Sequence, residues 1–244
     1  MRFQKWHGLG NDFILIEGSL KNPNFLAKKL CDRHFGIGAD GLVLILPSTK
    51  ADYRMRIFNP DSSEAEMCGN AIRCVAKYIN KKSIRVETLA GIIEPELLSN
   101  GQVKVNMGKP NHIGDFNQIT AISIGNPHAV LFVKNFDFDW QKKGREIENN
   151  IKLFPKKTNV EFVRVIDKNN LEVKVWERGA GATLACGTGA CAAAFASFLK
   201  KKTNNKVNVY LPGGKLKIEI KDNIYMTGPA IKVFEGEIRE LKRR

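Results

Sequence analysis

The chain has 244 residues, a formal net charge of +14, 43% hydrophobic residues and 26% charged residues. This length suits one large or two modest domains, each able to bury its own core, and the composition is that of a globular rather than a disordered protein. The longest apolar stretch, residues 190–199, is shorter than the roughly 20 residues that a membrane-spanning helix needs. We therefore expect no membrane partner.

The positive charge raises the question of nucleic acid binding. Lys81-Lys82 and Lys200-Lys201-Lys202 follow two predicted helices, where cations complement the negative end of the helix dipole. The sequence contains no zinc finger, no RNA-binding signature and no interleaving of aromatic and basic residues. We interpret the charge as a lysine-rich solvated surface and expect no nucleic acid partner.

The predicted secondary structure mixes strands and helices along the whole chain. Short alternating runs of β-branched and aromatic residues predict strands, and longer periodic runs predict helices. The strands are predicted at residues 13–17, 42–46, 54–59, 122–124, 129–133, 161–166, 171–176, 207–211 and 215–220. The helices are predicted at residues 23–33, 71–78, 141–154 and 189–199, and residues 167–170 are predicted to form a hairpin turn.

Two of these helices are apolar on nearly every side, and each follows a cysteine. Cys68 lies in MCGNAIRC and Cys186 lies in ACGTGAC. A thiol at a helix N-terminus meets exposed N–H groups and the positive end of the dipole, which favour the thiolate. Two matched thiols indicate a symmetric task, in which one thiolate removes a proton and the other thiol supplies one.

The match between the halves extends beyond the cysteines. Asn59 and Glu177 each lie nine residues before the cysteine of their half, and each ends a predicted strand. Gly-Asn followed by apolar residues begins each half, with Asn11 in the first and Asn126 in the second. We interpret these ordered landmarks as an internal duplication.

The duplication predicts an α/β fold of the α+β type with two pseudo-symmetric halves. Each half is expected to be a mixed, mostly antiparallel strand layer wrapped around a central buried helix. The halves are predicted as residues 1–114 and 115–231, with the joint near residues 111–118. The C-terminal tail, residues 232–244, can complete the first half.

The cysteine count predicts a reducing compartment. Five cysteines, an odd number, and no apolar signal-peptide region after Met1 point to free thiols in the cytoplasm. Cys31, Cys74 and Cys191 are interpreted as small core residues. We expect no metal, because zinc ligands usually come at closer spacing than these cysteines do. His7 and His34 are interpreted as structural.

The ordered motifs resemble the diaminopimelate epimerase family, which comprises cofactor-independent amino-acid epimerases of lysine and peptidoglycan biosynthesis. They are HGLGNDF (residues 7–13), GIGADG (36–41), RIFNPDSSEAEMCGNAIRC (56–74), ISIGNPHAV (122–130), TNVEF (158–162), WERGAGATLACGTGACAA (176–193) and MTGPA (226–230). The resemblance implies two pseudo-symmetric halves with the active site in the cleft between them. It also implies a diaminopimelate substrate, no cofactor and a homodimer.

The chemistry of such a reaction explains why thiols are needed. Inverting an amino-acid stereocentre means removing the α-proton from one face and returning a proton to the other, which calls for two acid–base groups. A thiol, with an ordinary pKa of about 8.5, reaches either protonation state near neutrality. The resemblance implies that Cys68 donates and Cys186 accepts in one direction, with the roles exchanged in reverse.

The resemblance also assigns the remaining site residues. His128 and Glu177 are expected to assist thiol deprotonation, and the N–H groups after the two cysteines are expected to hold the α-carboxylate. The expected substrate-binding residues are Asn11, Asn59, Gly69, Asn70, Asn126, Asn159, Glu177, Arg178, Gly187 and Thr188. One position departs from the pattern, since some family members carry Gln where this chain has Gly41.

Two alternative functions remain open from the sequence. The chain could be another racemase of the two-thiol superfamily, acting on proline, histidine or a related amino acid. It could also be a thiol redox or structural protein in which Cys68 and Cys186 form a reversible disulfide. A binding module without catalysis is disfavoured, because two activated thiols offer no obvious means of gripping a ligand.

Overall fold

In a computed structural model the described residues, 1–238, form nineteen strands and four helices. The strands are β1 (Arg2–Gly8), β2 (Asn11–Glu17), β3 (Gly41–Leu46), β4 (Tyr53–Phe58), β5 (Glu64–Ala65), β6 (Val86–Thr88), β7 (Gly91–Ile93), β8 (Glu96–Leu97), β9 (Val103–Asn106), β10 (Asn111–Phe116), β11 (Ile119–Ser123), β12 (Pro127–Phe132), β13 (Asn159–Asp167), β14 (Asn170–Glu177), β15 (Gly181–Thr183), β16 (Lys206–Leu211), β17 (Gly214–Ile220), β18 (Ile224–Gly228) and β19 (Ile231–Glu237). The helices are α1 (Pro23–Leu30), α2 (Gly69–Ile79), α3 (Trp140–Glu148) and α4 (Gly187–Leu199).

All nine predicted strands are confirmed, with ends that shift by a few residues. The predicted turn at residues 167–170 joins β13 and β14 in an antiparallel hairpin, as expected. The helix predicted over residues 141–154 is wrong at its C-terminal end, because α3 stops at Glu148. Asn149 ends it by donating from its side-chain amide to the carbonyl oxygen of Arg145, in keeping with the low helix propensity of asparagine.

The chain divides into two compact units. Unit 1 comprises Met1–Val105 together with the chain from Pro229 onward, and unit 2 comprises Asn106–Gly228. Residues 111–118, where the sequence placed the joint, therefore lie inside unit 2, and β10 covers most of them. Of the tail at residues 232–244, the described part continues β19, and residues 239–244 lie outside the described chain.

The two units have the same strand topology. In unit 1 the strand order is β19-β1-β2-β3-β4-β6-β7, with β5 paired to β4. In unit 2 the order is β10-β11-β12-β13-β14-β16-β17-β18, with β15 paired to β14. Position by position, the seven strands of the unit 1 order correspond to the first seven of unit 2. The short strand β5, paired to β4, has its counterpart in β15, paired to β14.

The directions of pairing correspond as well. The parallel pairs β2–β3 and β4–β6 of unit 1 match the parallel pairs β12–β13 and β14–β16 of unit 2. The pairs β3–β4 and β13–β14 are both antiparallel. Helices α1 and α3 make the first parallel crossover of their units, and α2 and α4 make the second. This agreement confirms the two pseudo-symmetric α/β halves predicted from the sequence.

Helices α2 and α4 lie in the cores of their units. In α4 nine residues are buried, among them an unbroken run from Gly189 to Ala194. The small side chains of this run let strands approach the helix closely from several directions. In α2 the buried residues run from Gly69 to Ala76 and include a fully buried arginine, Arg73. The expectation of a buried central helix in each half is therefore confirmed.

Helices α1 and α3 are amphipathic and cover the opposite faces of their sheets. Ala27 and Leu30 of α1 pack with Ile14 and Ile16 of β2 in one apolar cluster. In unit 2, Ile147 of α3 belongs to a second apolar cluster that also contains Trp176. Each fully buried aliphatic side chain contributes about 1.5–3 kcal/mol relative to exposure. None of the helices within residues 1–238 has the length and apolar character of a membrane-spanning segment.

A cluster of charged side chains joins the start of β2 to the loop before β3. Asp12 lies 2.8 Å from the ammonium of Lys5 and 2.9 Å from the guanidinium of Arg33. Arg33 also pairs with Asp40 at 2.7 Å, and the ammonium of Lys5 donates to the carbonyl oxygen of Gly38. Although burial opposes ionisation, these two cations hold the pKa of Asp12 down at about 2.

Replacing Asp12 tests this cluster. The lowered pKa means that the ionised carboxylate contributes about 2 kcal/mol of stability, which is present above the ordinary pKa of 3.8 and lost as the pH falls towards 2. Asp12→Asn is expected to lower the free energy of unfolding at neutral pH by at least this amount, because the buried Lys5 loses its partner. Urea unfolding over a pH series measures the difference, which should shrink between pH 4 and pH 2.

The matched control is Asp222→Asn, which removes an exposed carboxylate from the turn between β17 and β18. We expect it to change the unfolding free energy by no more than about 0.5 kcal/mol at any pH. A difference for Asp12→Asn that stays constant from neutral pH down to pH 2 would contradict the assignment.

Candidate active site

Cys68 is the N-cap residue of α2. Its backbone is extended, with φ −139° and ψ 121°, and its carbonyl oxygen accepts the first helical hydrogen bond, from the N–H of Ile72 at 3.0 Å. The N–H groups of Gly69 and Asn70 fall in the first turn, where no earlier turn of the helix supplies an acceptor. The thiol therefore stands beside the positive end of a buried helix.

Asn11 and Asn70 lie beside this thiol. The sulfur of Cys68 donates to Asn11 Oδ1 at 3.8 Å, and Asn70 Nδ2 donates to the same oxygen at 3.0 Å. Asn11 Nδ2 in turn donates to Asp40 Oδ2 at 2.8 Å. The amide of Asn11 is thus fixed at both ends, and its oxygen faces the thiol.

Arg73, a residue of α2, hydrogen-bonds back to the first turn of the same helix. Its guanidinium, which is 0% exposed, donates to the carbonyl oxygen of Gly69 at 3.0 Å and to Asn70 Oδ1 at 2.9 Å. A side chain on Gly8 would come within 2.8 Å of Arg73 Nη2, so glycine is required for the close approach of β1. The buried cation adds positive potential at the end of the helix that carries Cys68.

Asn59 ends β4 and begins the turn to β5. Its Nδ2 donates to the hydroxyl of Ser63 at 2.9 Å, and its backbone N–H donates to the carbonyl oxygen of Ser63 at 2.8 Å. These two hydrogen bonds tie Asn59 to Ser63 and do not connect it to Asn11, Cys68 or Asn70. Gly41 is buried at the start of β3 and lies opposite Phe13 of β2.

Cys186 is the N-cap residue of α4 and is 5% exposed. Its sulfur accepts a hydrogen bond from the backbone N–H of Gly189 at 3.3 Å and lies 3.5 Å from the hydroxyl of Thr188. Cys186 thus has the N-cap position and extended backbone that Cys68 has in unit 1. The sulfur of Cys186, however, receives a backbone N–H, whereas the sulfur of Cys68 donates to an amide oxygen.

Glu177, at the end of β14, bears directly on the ionisation of Cys186. Burial raises the pKa of this carboxyl, while hydrogen bonds from Thr183, at 2.5 Å, and from the Cys186 thiol oppose the rise. The pKa of the Cys186 thiol is raised well above its ordinary value by burial and then by the negative charges of Glu177 and Glu161. Burial and these charges therefore favour the protonated thiol of Cys186, which donates a hydrogen bond to Glu177.

His128 forms a buried pair with Glu161. The two side chains are both fully buried, and Nδ1 of the ring lies 2.7 Å from Glu161 Oε1. Nε2 lies 2.9 Å from Asn126 Oδ1, and Asn126 Nδ2 donates to Thr188 Oγ1 at 3.4 Å. A chain of contacts thus leads from Glu161 through His128, Asn126 and Thr188 to the sulfur of Cys186.

Glu161 is the site residue that the sequence analysis missed. The signal was available, because Glu161 lies between Val160 and Phe162 on a predicted strand. A carboxylate in such a setting is rarely fully buried unless it has a specific partner. The partner itself, His128, is thirty-three residues away in sequence and adjacent only through the parallel pairing of β12 and β13.

Asn159 and Arg178 complete the predicted set in unit 2. Asn159 Nδ2 donates to the carbonyl oxygen of Pro127 at 3.1 Å, and its Oδ1 accepts from the backbone N–H of Arg178 at 2.9 Å. The guanidinium of Arg178 donates to the carbonyl oxygen of Lys156 at 3.1 Å and is solvent-accessible. Arg178 is therefore positioned by its backbone while its charged end remains available to a ligand.

The other cysteines lie in the cores. Cys31, Cys74 and Cys191 are buried, as predicted, and burial raises the pKa of Cys31 and of Cys74 to about 12. Cys31 and Cys74 are therefore protonated and unreactive near neutral pH. Among residues 1–238, no group of three or more His, Cys, Asp and Glu side chains is arranged to hold a metal ion.

Comparison with known proteins identifies the family. The family model described as diaminopimelate epimerase matches residues 3–113 and 120–233. A diaminopimelate epimerase of Acetivibrio thermocellus is 53% identical, over 98% of each chain. A diaminopimelate epimerase of Methanococcus maripaludis is 51% identical, over 98% of this chain and 99% of the relative. The chain belongs to the diaminopimelate epimerase family and is an isomerase.

Solved structures of low sequence identity share the fold. A phenazine biosynthesis protein of the PhzF family from Bacillus anthracis superposes with a TM-score of 0.77 at 17% identity, covering 98% of each chain. A hydroxyproline epimerase from Agrobacterium vitis gives a TM-score of 0.72 at 14% identity, covering 97% of this chain and 91% of the other. The fold is therefore common to proteins that share little sequence with this chain.

The contact between Glu177 and Cys186 generates a prediction about thiol ionisation. Because the charge of Glu177 raises the pKa of Cys186, Glu177→Gln is expected to lower the pKa of that thiol. Turnover should nevertheless fall, about 100-fold, because the amide of Gln cannot accept the thiol proton. The thiolate is measured by its ultraviolet absorbance against pH, with Cys186→Ala as the baseline, and turnover is measured as epimerisation.

The control is Glu172→Gln, which removes a carboxylate of the same strand, β14, that pairs with Arg164 instead. It should leave both the thiol titration and the turnover unchanged. A Cys186 titration that moves to higher pH in Glu177→Gln would show that the carboxylate does not act on the thiol as described.

Proposed function

We propose that this protein interconverts LL-2,6-diaminopimelate and meso-2,6-diaminopimelate with Cys68 and Cys186 as its two acid–base groups. The observation that carries the proposal is that a cysteine occupies the N-cap position of the buried helix in each of two units of matching topology. Family membership supports the reaction, since the matching relatives are diaminopimelate epimerases. In lysine and peptidoglycan precursor biosynthesis the reaction supplies the meso isomer.

The mechanism requires one group on each face of the α-carbon. In one direction Glu177 takes the proton of Cys186, and the resulting thiolate removes the α-proton of the substrate. Cys68, whose sulfur donates a hydrogen bond to Asn11 in the free protein, delivers its proton to the opposite face. The thiols then stand with protonation states exchanged, ready for the reverse reaction. Asn11 accepts only a hydrogen bond from the Cys68 thiol. Because an amide oxygen is a poor base, the proton stays on the sulfur until it is delivered to the substrate.

The carbanion needs stabilisation while the α-carbon has lost its proton. We propose that the first-turn N–H groups of α2 and α4, those of Gly69, Asn70, Gly187 and Thr188, hold the α-carboxylate as negative charge spreads onto it. The glycine after each cysteine lets the carboxylate approach the backbone. This arrangement supplies what a pyridoxal cofactor supplies elsewhere, so we propose that the reaction needs no cofactor and no metal.

The second amino-acid head of the substrate calls for a different set of groups. A distal carboxylate fits the fork of Arg178, whose charged end is solvent-accessible, and a distal ammonium fits amide and carboxylate oxygens. We propose Asn11, Asn59, Asn126 and Asn159 for the amide contacts, with Glu177 and Arg178 for the charged ones. Proline lacks this second head, so the same set disfavours a proline racemase.

Removing either thiol tests the two-base scheme. Cys68→Ala and Cys186→Ala are each expected to lower epimerisation by at least about 100-fold. Each variant lacks the acid–base group on one face of the α-carbon, so the proton can no longer be removed from one face and returned to the other. The assay follows deuterium incorporation at the α-carbon of LL- and meso-diaminopimelate in heavy water, under reducing conditions and without added cofactor. Circular dichroism checks that each variant remains folded.

Cys31→Ala is the matched control, since this thiol is buried in the core beside α1. It should lower stability but retain epimerisation. Near-normal turnover in Cys68→Ala or Cys186→Ala would overturn the scheme. Deuterium incorporation into proline or histidine ahead of diaminopimelate would instead favour another racemase. Activity that rises on oxidation would favour the redox alternative.

We propose further that the protein works as a cytoplasmic homodimer. The five cysteines, none of which forms a disulfide within the described residues, support a reducing compartment. The exposed apolar side chains of β19, Ile231, Val233 and Phe234, support a subunit contact along that edge. Multi-angle light scattering at assay concentration should give twice the 27.3 kDa of one chain. A mass of one chain would contradict the dimer without affecting the proposed reaction.

A further inference from the structure

Glu161 is a buried carboxylate that the proposed mechanism does not use. It lies on β13 between Val160 and Phe162 and is 0% exposed. Burying an ionised carboxylate is costly unless it is paired or hydrogen-bonded. Such a group at the centre of unit 2 therefore needs a specific partner that makes its presence favourable.

That partner is the ring of His128. In the parallel pairing of β12 with β13, His128 lies opposite Asn159, two residues before Glu161 and on the same face of the strand. Glu161 Oε1 reaches Nδ1 at 2.7 Å, and Asn126 Oδ1 lies 2.9 Å from Nε2. Both ring nitrogens thus face oxygen acceptors, and an imidazole satisfies two acceptors only when it carries a proton on each nitrogen.

The first turn of α4 closes over the same carboxylate. A side chain on Gly189 would come within 2.7 Å of Glu161 Oε1 and 3.3 Å of Cys186 Sγ. The carboxylate therefore sits against the helix N-terminus, where the dipole favours negative charge. In the described part of the chain Glu161 Oε2 is buried without a hydrogen-bond partner, so the ion pair with His128 and the dipole must offset its burial.

The titratable groups that face His128 are few. Glu161 faces it from β13, Glu177 acts on it from the end of β14, and Cys186 lies at the start of α4. On the other side β11 presents Ile122, which pairs with His128 and does not ionise. Of these titratable groups, Glu161 is the one in direct contact with the ring.

The position of His128 is transmitted to Cys186. His128 Nε2 lies 2.9 Å from Asn126 Oδ1, and with its oxygen on that side Asn126 donates from Nδ2 to Thr188 Oγ1 at 3.4 Å. Thr188 Oγ1 in turn lies 3.5 Å from the sulfur of Cys186. Losing the proton on Nε2 would reverse the first contact, since the amide would then have to present its N–H₂ to the ring and its oxygen to Thr188.

We propose that Glu161 is a positioning residue for the reaction, which holds His128 as a doubly protonated ring and so fixes Asn126, Thr188 and the Cys186 thiol. The inference rests on the proposed function. It also divides the roles of His128 and Glu177. Glu177 takes the proton from the Cys186 sulfur, leaving a thiolate and a carboxylic acid, while His128 keeps both of its protons throughout.

The test combines kinetics with nitrogen NMR of the ring. Glu161→Gln keeps the size of the side chain and removes its charge, and it should lower kcat about 100-fold with little change in KM, because Glu161 does not touch the substrate. In protein labelled with ¹⁵N-histidine, the ring of His128 should carry two protons near neutral pH in the unchanged protein and one proton in Glu161→Gln. The chain has four histidines, so His128→Gln assigns the signal.

Two further variants sharpen the test. Glu161→Asp keeps the charge and should restore the doubly protonated ring in part, and with it part of kcat. Glu172→Gln is the matched control on β14 and should change neither the ring nor kcat. If Glu161→Gln fails to fold, the NMR of the unchanged protein still decides, because a singly protonated His128 near neutral pH overturns the inference.

The outcomes separate this inference from the proposed function. Normal kcat and an unchanged ring in Glu161→Gln, with Cys68→Ala and Cys186→Ala inactive, would overturn the role of Glu161 alone. Activity in the two cysteine variants would overturn the two-thiol mechanism itself. A lowered kcat in Glu161→Gln with a ring that stays doubly protonated would also count against the positioning role, because the charge would then act on another group.

Discussion

The structure depends on placing a thiol at the start of a helix that is itself buried. A buried helix N-terminus exposes N–H groups that need acceptors, and water is scarce there. In both units the residue before the helix is cysteine in an extended conformation, followed directly by glycine. In the proposed mechanism each of these helix ends offers its first-turn N–H groups to a ligand carboxylate. The same groups would stabilise charge in the proposed reaction.

The buried charged side chain next to the cysteine-bearing helix has the opposite sign in the two units. Beneath the first turn of α2 lies the buried cation Arg73, which reinforces the positive end of the helix. Beneath the first turn of α4 lies the carboxylate Glu161, which opposes ionisation of Cys186. The duplication therefore preserved the backbone, while the side chains behind the thiols diverged. This divergence supports the proposed order of steps, in which Glu177 first takes the proton of Cys186.

Much of this could be read from the sequence because the signals are local. Strands β4 and β14 alternate in large part, β2 and β3 are short apolar runs, and the apolar run of α4 indicates a buried helix. The pairing of Cys68 with Cys186 and of Asn11 with Asn126 follows from matched spacing alone. The small strands β5 and β15, two and three residues long, are too short for any periodicity to reveal. Strand β1 was missed because Lys5 and His7 interrupt its alternation, although Lys5 is buried by its bond to Asp12.

What the sequence could not give is contact between residues far apart along the chain. Glu161 and His128 meet only through a parallel strand pair, and Asn11 meets Asp40 only through the fold of unit 1. Parallel register is not encoded in any turn, since the strands are joined by long crossovers. The predicted site residues were therefore recognised by residue type and matched position in the two halves. The groups that orient them become their neighbours only in the folded chain.

Strand β19 has a consequence for how the protein is made. It pairs along β1, from Arg2 with Glu237 to His7 with Ile231, and so joins the beginning of the chain to its end. Unit 2, by contrast, is one continuous stretch. During synthesis every residue of unit 2 leaves the ribosome before β19 does. The outer edge of β1 therefore stays uncovered until β19 has been made.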